Sequence, residues 1–208
     1  MNLSDWRTEY DKYSLHEEGL PHDPFELFKS WFDKAVEDLN PEPNAFVLST
    51  IDSENQPHSR VVLLKEIEEN SFVFYTNYTS QKGQDLKNNP KTSMLFFFPF
   101  SQRQIRIHGL VKQLSREKAV EYFATRPIES QVSAMASAQS RKVTRTELIE
   151  KAAELRINGS IECPKDWGGY AIIPNYFEFW QGQPGRLHDR IIYKSIPNSN
   201  WEQYRLAP

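Results

Sequence analysis

Apolar and polar positions change rhythm three times along the chain. Residues 1–22 are polar with no period, which predicts an arm that orders only where something holds it. Asp23 then stands ahead of Pro24 and Glu26, a cap, a first-turn proline and a capping box. Phe28, Trp31, Phe32, Ala35, Val36 and Leu39 recur at helical spacing until Asn40-Pro41 ends the run.

From Ala45 the pattern shortens to β-rich runs between turn clusters. AFVLSTI, HSRVVLLKEI and SFVFYTN predict a three-strand meander with hairpin-length connections. Ser80 can cap a short helix through Lys87, which Asn89-Pro90 stops. KTSMLFFF and RQIRIHGLVKQL predict two further strands, the second with a bulge or bend at Gly109. A helical insertion spans roughly 115–158, and in its last helix Thr144 and Glu147 form a second capping box with Gly159 at the end. WGGYAIIP, YFEFWQ, DRIIYK and WEQYRL return to strand grammar. About eight strands with short connections and added helices point to an antiparallel barrel, mainly β, formed by residues 23–208 as a single domain.

Composition narrows the function classes. With 208 residues, 38% hydrophobic, the chain can bury one sizeable core. A net charge of -3 gives no global field for nucleic acid or an acidic membrane, so any anion site must be local. The start lacks an apolar signal core and no run approaches a membrane span, so the expectation is a soluble cytoplasmic protein. The single cysteine, Cys163 beside Pro164, reads as structural, and scattered histidines give no metal-ligand spacing. Gly-x-Gly-x-x-Gly, Walker and Gly-x-Ser-x-Gly patterns do not occur.

Candidate chemistry sits in short clusters. If RVVLLK is a regular strand, Arg60 and Lys65 face opposite ways and serve different anions, or one is simply solvated. Thr76, Ser80 and Lys82 surround a helix start, a ready phosphate site but a weak signal alone. Tyr122, Arg126 and Ser130 share one side of a continuous helix, which Pro127 puts in question; Arg126 can equally satisfy helix-end carbonyls. In EFWQGQPGRLHDR, strand alternation would place Arg186, His188 and Arg190 on one face, with Leu187 and Asp189 on the other; a structural ion pair is the expectation for Asp189.

Together RVVLLK, FYTN, the Lys82 segment, RQIRIHG, EYFATRP-x-x-SQ, AQS, WGGY, EFWQG, RLHDR and the terminal RLAP, colinear from about Trp6 to Pro208, resemble the pyridoxamine 5'-phosphate oxidase family. The resemblance implies a split β-barrel of antiparallel Greek-key type, working as a homodimer with FMN at the interface. It implies oxidation of pyridoxamine or pyridoxine 5'-phosphate at the 4' carbon to pyridoxal 5'-phosphate, hydride equivalents passing to the flavin N5 and then to dioxygen as hydrogen peroxide. The amine substrate also yields ammonia. On matching positions, the implied cofactor shell is Arg60, Val61, Val62, Leu63, Leu64, Lys65, Tyr75, Thr76, Gln81, Lys82, Gln104, Gln139, Ser140, Trp180 and Arg190. Substrate contacts would fall to Lys65, Tyr122, Arg126, Ser130, Arg186, Leu187 and His188. Arg7 and Tyr10 match a segment that folds over bound substrate, and Arg186 and His188 would lie at the reacting centre. Gln81 departs from the family's usual arginine, so one phosphate charge contact is lost or neutral. Alternatives are a split-barrel oxidase of another heterocycle, such as those of phenazine assembly, or a flavin or haem carrier without turnover.

Overall fold

The computed structural model describes residues 1–6, 8–158, 160–197 and 200–208. Among the described residues five α-helices and nine strands form, and the sheet order is β2-β1-β5-β6-β7-β4-β3, with β8 between β7 and β9. These are α1 (Pro24–Glu37), β1 (Ala45–Ile51), β2 (Pro57–Leu63), β3 (Glu66–Glu68), β4 (Ser71–Asn77), α2 (Gln81–Asn88), β5 (Lys91–Phe98) and β6 (Arg103–Gln113). They continue with α3 (Arg116–Thr125), α4 (Ile128–Ala136), α5 (Arg145–Asn158), β7 (Trp167–Gln181), β8 (Asp189–Ile196) and β9 (Asn200–Arg205). Among the described residues, no helix is long and apolar enough to cross a membrane.

The chain divides into two compact units. One comprises residues 1–48, 93–109 and 174–208; the other comprises 49–92 and 110–173 and contains the whole helical insertion. In the first unit, α1 presents Leu27, Phe28, Trp31 and Ala35 to a core that includes Phe46, Phe96, Phe98, Phe177 and Phe179. Phe28 meets Phe96 edge-on at 5.2 Å, and Trp31 meets Phe179 the same way at 5.3 Å. The apolar stripe is therefore narrower than the sequence suggests: Val36 and Leu39 are 49% and 83% exposed. The Asp23 carboxylate caps α1 by accepting the Phe25 amide at 2.9 Å, in place of the box partner expected at Glu26.

The arm lies against this unit without regular structure, held by side chains. Gln102 Oε1 accepts the Asp11 and Lys12 amides, Gln102 Nε2 donates to the Glu9 carbonyl, and the Tyr193 hydroxyl donates to the Pro21 carbonyl. Asp189 Oδ2 accepts the Leu15 amide at 2.9 Å while Asp189 Oδ1 pairs with Arg205 at 2.6 Å, the structural ion pair anticipated for it.

The second unit corrects the meander. β1 pairs with β2, and β3 with β4, but β2 and β4 are not sheet neighbours. The run HSRVVLLKEI breaks at Leu64-Lys65, where Leu64 turns into the core and the Lys65 amide donates to the Val73 carbonyl. β6 continues through Gly109. WGGYAIIP and YFEFWQ form one strand, β7, whose first part pairs with β4 in the register Tyr75↔Gly169 and Thr76↔Gly168. A Cβ at Gly169 would lie 2.8 Å from the Tyr75 ring, so this crossing admits only glycine. Ser80 caps α2 and Thr144 with Glu147 caps α5, both as expected; Gly159 lies outside the described residues.

Candidate functional site

A cavity of about 840 Å³ opens in the second unit, within the usual range for a small-ligand site. Arg60, Lys65, Lys82 and Arg126 all line it, and among the described residues that do so none is acidic. The break after Leu63 explains why Arg60 and Lys65 share the cavity instead of taking opposite faces: alternation holds only within an unbroken strand. Val61, Val62 and Leu63 line the cavity too, whereas the Leu64 side chain is 7% exposed in the core.

Arg60 extends from β2, and its Nη1 donates to Thr50 Oγ1 at 2.7 Å. Lys82, in the first turn of α2, is 8% exposed, with Ser80 Oγ at 3.5 Å from its Nζ. Burial, and then the Arg60 charge, push the Lys82 ammonium below the ordinary lysine range. Two cations thus share a recess at a helix N-terminus, an arrangement that an anion would relieve. Thr76 donates to Gln139 Oε1 at 3.3 Å, and Ser140 Oγ accepts the Gln81 amide at 3.2 Å, which brings the AQS segment to this recess. The Gln81 side chain points elsewhere: its Nε2 donates to Asp85 Oδ1 at 2.8 Å.

Pro127 does end α3, and Arg126 is its C-cap; even so, Tyr122, Arg126 and Ser130 all line the cavity. The Arg126 guanidinium sits 4.9 Å from the Trp167 ring centre, and its Nη1 is buried with no hydrogen-bond partner. A buried donor of a charged group without a partner costs more than most single contacts contribute. Tyr75 stacks on Tyr122 at 3.8 Å, and burial pushes its phenol up to about 12, so it stays neutral. Trp167 stacks on Tyr75 at 5.5 Å; the sequence marked it only as part of WGGY. Thr50 and Asp85, which contact Arg60, and His58, which contacts Asp85, carried no motif signal.

A second cluster lies in the first unit. Gly185 and Arg186 both have φ of 63°, within a short 3₁₀ turn, and β8 begins only at Asp189. Alternation therefore does not govern Arg186 and His188 as the sequence suggested. Tyr10, Arg186 and His188 line a recess of about 550 Å³. Tyr10 meets the Trp180 ring edge-on at 5.7 Å and His188 at 5.8 Å, close over Gly182, where a Cβ would come within 2.7 Å of the Tyr10 ring. His188 Nδ1 accepts the Gln183 amide at 3.0 Å, so the neutral ring carries its proton on Nε2. Burial, and then Arg186, hold this imidazole below the usual histidine range. Arg190 donates to both Glu178 oxygens, at 3.1 and 3.2 Å, and to the Ala207 carbonyl at 2.7 Å, which explains the terminal RLAP. Leu187 is exposed, Gln104 lies on β6, and Arg7 lies outside the described residues.

Cys163 is half-buried with its thiol pushed up by burial, consistent with a structural role.

Comparison with known proteins gives two consecutive matches. Residues 32–157 match the family model described as pyridoxamine 5'-phosphate oxidase, and residues 167–208 match the pyridoxine 5'-phosphate oxidase C-terminal dimerisation region. A Bordetella petrii protein named pyridoxine/pyridoxamine 5'-phosphate oxidase is 45% identical over 210 residues, covering 100% of both chains. A Pseudomonas paraeruginosa protein of the same name is 44% identical over 214 residues, 100% of this chain and 99% of the relative. Among solved structures, PhzG from Burkholderia lata 383, in complex with tetrahydrophenazine-1-carboxylic acid, superposes with a TM-score of 0.87 at 30% identity, covering 93% of this chain and 98% of that one. An FMN-binding, pyridoxamine 5'-phosphate oxidase-related protein from Nostoc punctiforme gives 0.72 at 15% identity, over 89% and 98%, a likeness of fold alone. The mainly β split-barrel class expected from the sequence is the one these structures share.

Proposed function

Because the chain belongs to the pyridoxamine 5'-phosphate oxidase family, we propose that it is an FMN-dependent oxidoreductase acting on pyridoxamine and pyridoxine 5'-phosphates. The products are pyridoxal 5'-phosphate and, from dioxygen, hydrogen peroxide; the amine substrate also releases ammonia. The observation that carries this reading is the cavity with four cations and no acid, which suits a pair of phosphates better than any neutral ligand. The residues present fit FMN: buried Lys82 and half-buried Arg60 form a phosphate recess, and the Arg126 Nη1 lacks a partner that a second phosphate would supply. FMN, when bound, supplies the two-electron acceptor, so the chain needs no nucleophile of its own.

What remains for the protein is binding and orientation. Arg60 and Lys82 hold the cofactor phosphate, with Thr76, Gln139 and Ser140 beside them and the β2 residues along the ring. Lys65, Tyr122, Arg126 and Ser130 hold the substrate phosphate. Arg186 and His188 are assigned to the pyridine, with Tyr10 of the arm beside them. His188 offers an Nε2–H donor, which supports a hydrogen-bonding role over that of an obligatory base. Trp180 and Arg190 complete the cofactor shell, and the match to a dimerisation region supports a homodimer.

The test is anaerobic mixing of the FMN-loaded protein with pyridoxine 5'-phosphate, followed by admission of air. Bleaching of the flavin, then peroxide and aldehyde in equal amounts, is expected; a flavin that stays oxidised overturns the proposal and leaves a carrier. The likeness to PhzG favours one competing reading, an oxidase of a larger reduced heterocycle. Turnover of a reduced heterocycle by the FMN-loaded protein, with none of pyridoxine 5'-phosphate, would favour that reading.

A further inference from the structure

One aromatic side chain of the four-cation cavity has no part in the assignments above. Trp167, the first residue of β7, lines the cavity although it is 6% exposed. The Arg126 guanidinium carbon stands over its ring, 4.9 Å from the centre, and 5.7 Å from the ring centre of Phe123, which itself meets Trp167 edge-on at 5.1 Å. Tyr75 and Tyr122 lie nearly parallel to the indole, at 12° and 3°. The backbone is tied down as well. Arg116 Nη1 donates to the Pro164 carbonyl at 2.8 Å and to the Trp167 carbonyl at 3.1 Å, and the Trp167 amide donates to the Pro164 carbonyl at 3.1 Å. Ring packing and backbone bonds together fix the indole beside Arg126.

Arg126 needs such a support. It is the C-cap of α3, with extended backbone at φ -70° and ψ 149°, so helix geometry does not set the direction of its side chain. The described groups that favour its charge are the Tyr122 phenol and the Cys163 thiol, with no carboxylate among them, and its buried Nη1 has no hydrogen-bond partner. The kind of support matters for binding an anion. A carboxylate would fix the guanidinium but neutralise it and occupy its N–H groups. An aromatic face attracts the cation through its quadrupole, adds no charge and leaves the in-plane N–H fork open. Resting on the substrate-phosphate reading above, we infer that Trp167 is a positioning residue for the substrate: its indole face holds Arg126 toward the cavity with its charge and donors free for the phosphate. Trp167 thus sets phosphate affinity through Arg126 without itself contacting the phosphate.

The experiment measures, by calorimetry on the FMN-loaded full-length protein, the affinity for the 4'-deoxy analogue of pyridoxine 5'-phosphate, which lacks the group to be oxidised. Trp167→Leu is expected to weaken binding roughly two- to thirtyfold, the span of a cation–π contact from exposed to desolvated, and to raise KM for pyridoxine 5'-phosphate more than it lowers kcat. In an Arg126→Met background the same change should cost nothing further, because the contact it removes is already gone. Trp167→Phe keeps a ring that holds a cation less strongly, so its affinity should fall between those of wild type and Trp167→Leu, and its deficit should also vanish with Arg126→Met. That variant decides the matter by itself if Trp167→Leu fails to fold. A loss of equal size in both backgrounds means that Trp167 touches the ligand or only supports the fold, and overturns the inference; so does wild-type affinity in either Trp167 variant. No binding of the phosphorylated analogue by wild type overturns the proposed function itself, and this inference with it.

Discussion

At the residue scale, the position most exposed to experiment is Arg126. Its unpartnered Nη1 predicts that Arg126→Met weakens binding of pyridoxine 5'-phosphate by about 1.5 to 3 kcal/mol, read as a raised KM. The same substitution should leave the ligand-free protein as stable or more so in thermal unfolding, because a buried guanidinium without its anion favours the unfolded chain. Lys82→Ala should act differently, costing FMN retention on a sizing column while substrate KM in saturating FMN stays near wild type. Much of this was legible in the sequence: Arg60, Lys65, Lys82, Tyr122, Arg126 and Ser130 were all singled out, and all line one cavity. Trp167, Asp85 and His58 were not, because their roles arise from contacts to residues far along the chain, to which no local spacing points.

At the scale of elements, the arm and the capping boxes give separate tests. Thr144→Ala removes the hydroxyl half of the α5 cap, keeps the backbone amide bond to Glu147, and should lower stability by about 1 kcal/mol, measured by denaturant titration. The arm is held in part by Arg205, which grips Glu17 and the Leu15 carbonyl as well as Asp189. Hydrogen bonding to Arg205, with smaller help from its own backbone, holds the Glu17 carboxyl down at about 2. A carboxyl depressed on folding contributes stability that is complete above its unfolded value, about 4.5, and is lost as pH falls through about 2. Limited proteolysis of residues 9–21 should therefore accelerate between about pH 4.5 and about pH 2, and Glu17→Gln should show less of that dependence. The elements also mark where periodicity misleads. The α1 stripe narrowed because only one flank of the helix meets the aromatic core, and β2 broke because Leu64 had a core position to fill.

At the scale of the whole molecule, the two clusters lie in different compact units, the four-cation cavity in one and Tyr10, Trp180, Arg186, His188 and Arg190 in the other. The match to a dimerisation region over residues 167–208 leads us to expect light scattering to give twice the 24.4 kDa of one chain. Dilution that dissociates the dimer should release FMN if both clusters contribute to one cofactor shell. The sequence by itself determined the order of elements, the helix caps, the mainly β class and the residue types carrying charge, since propensity, capping and alternation act over a few neighbouring residues. Strand pairing, the shared cavity of Arg60 and Lys65, the tautomer of His188 and the Asp85 cluster were decided only in the tertiary structure. Each depends on backbone and side chains brought together across long stretches of chain, where burial and partner geometry outweigh local preference.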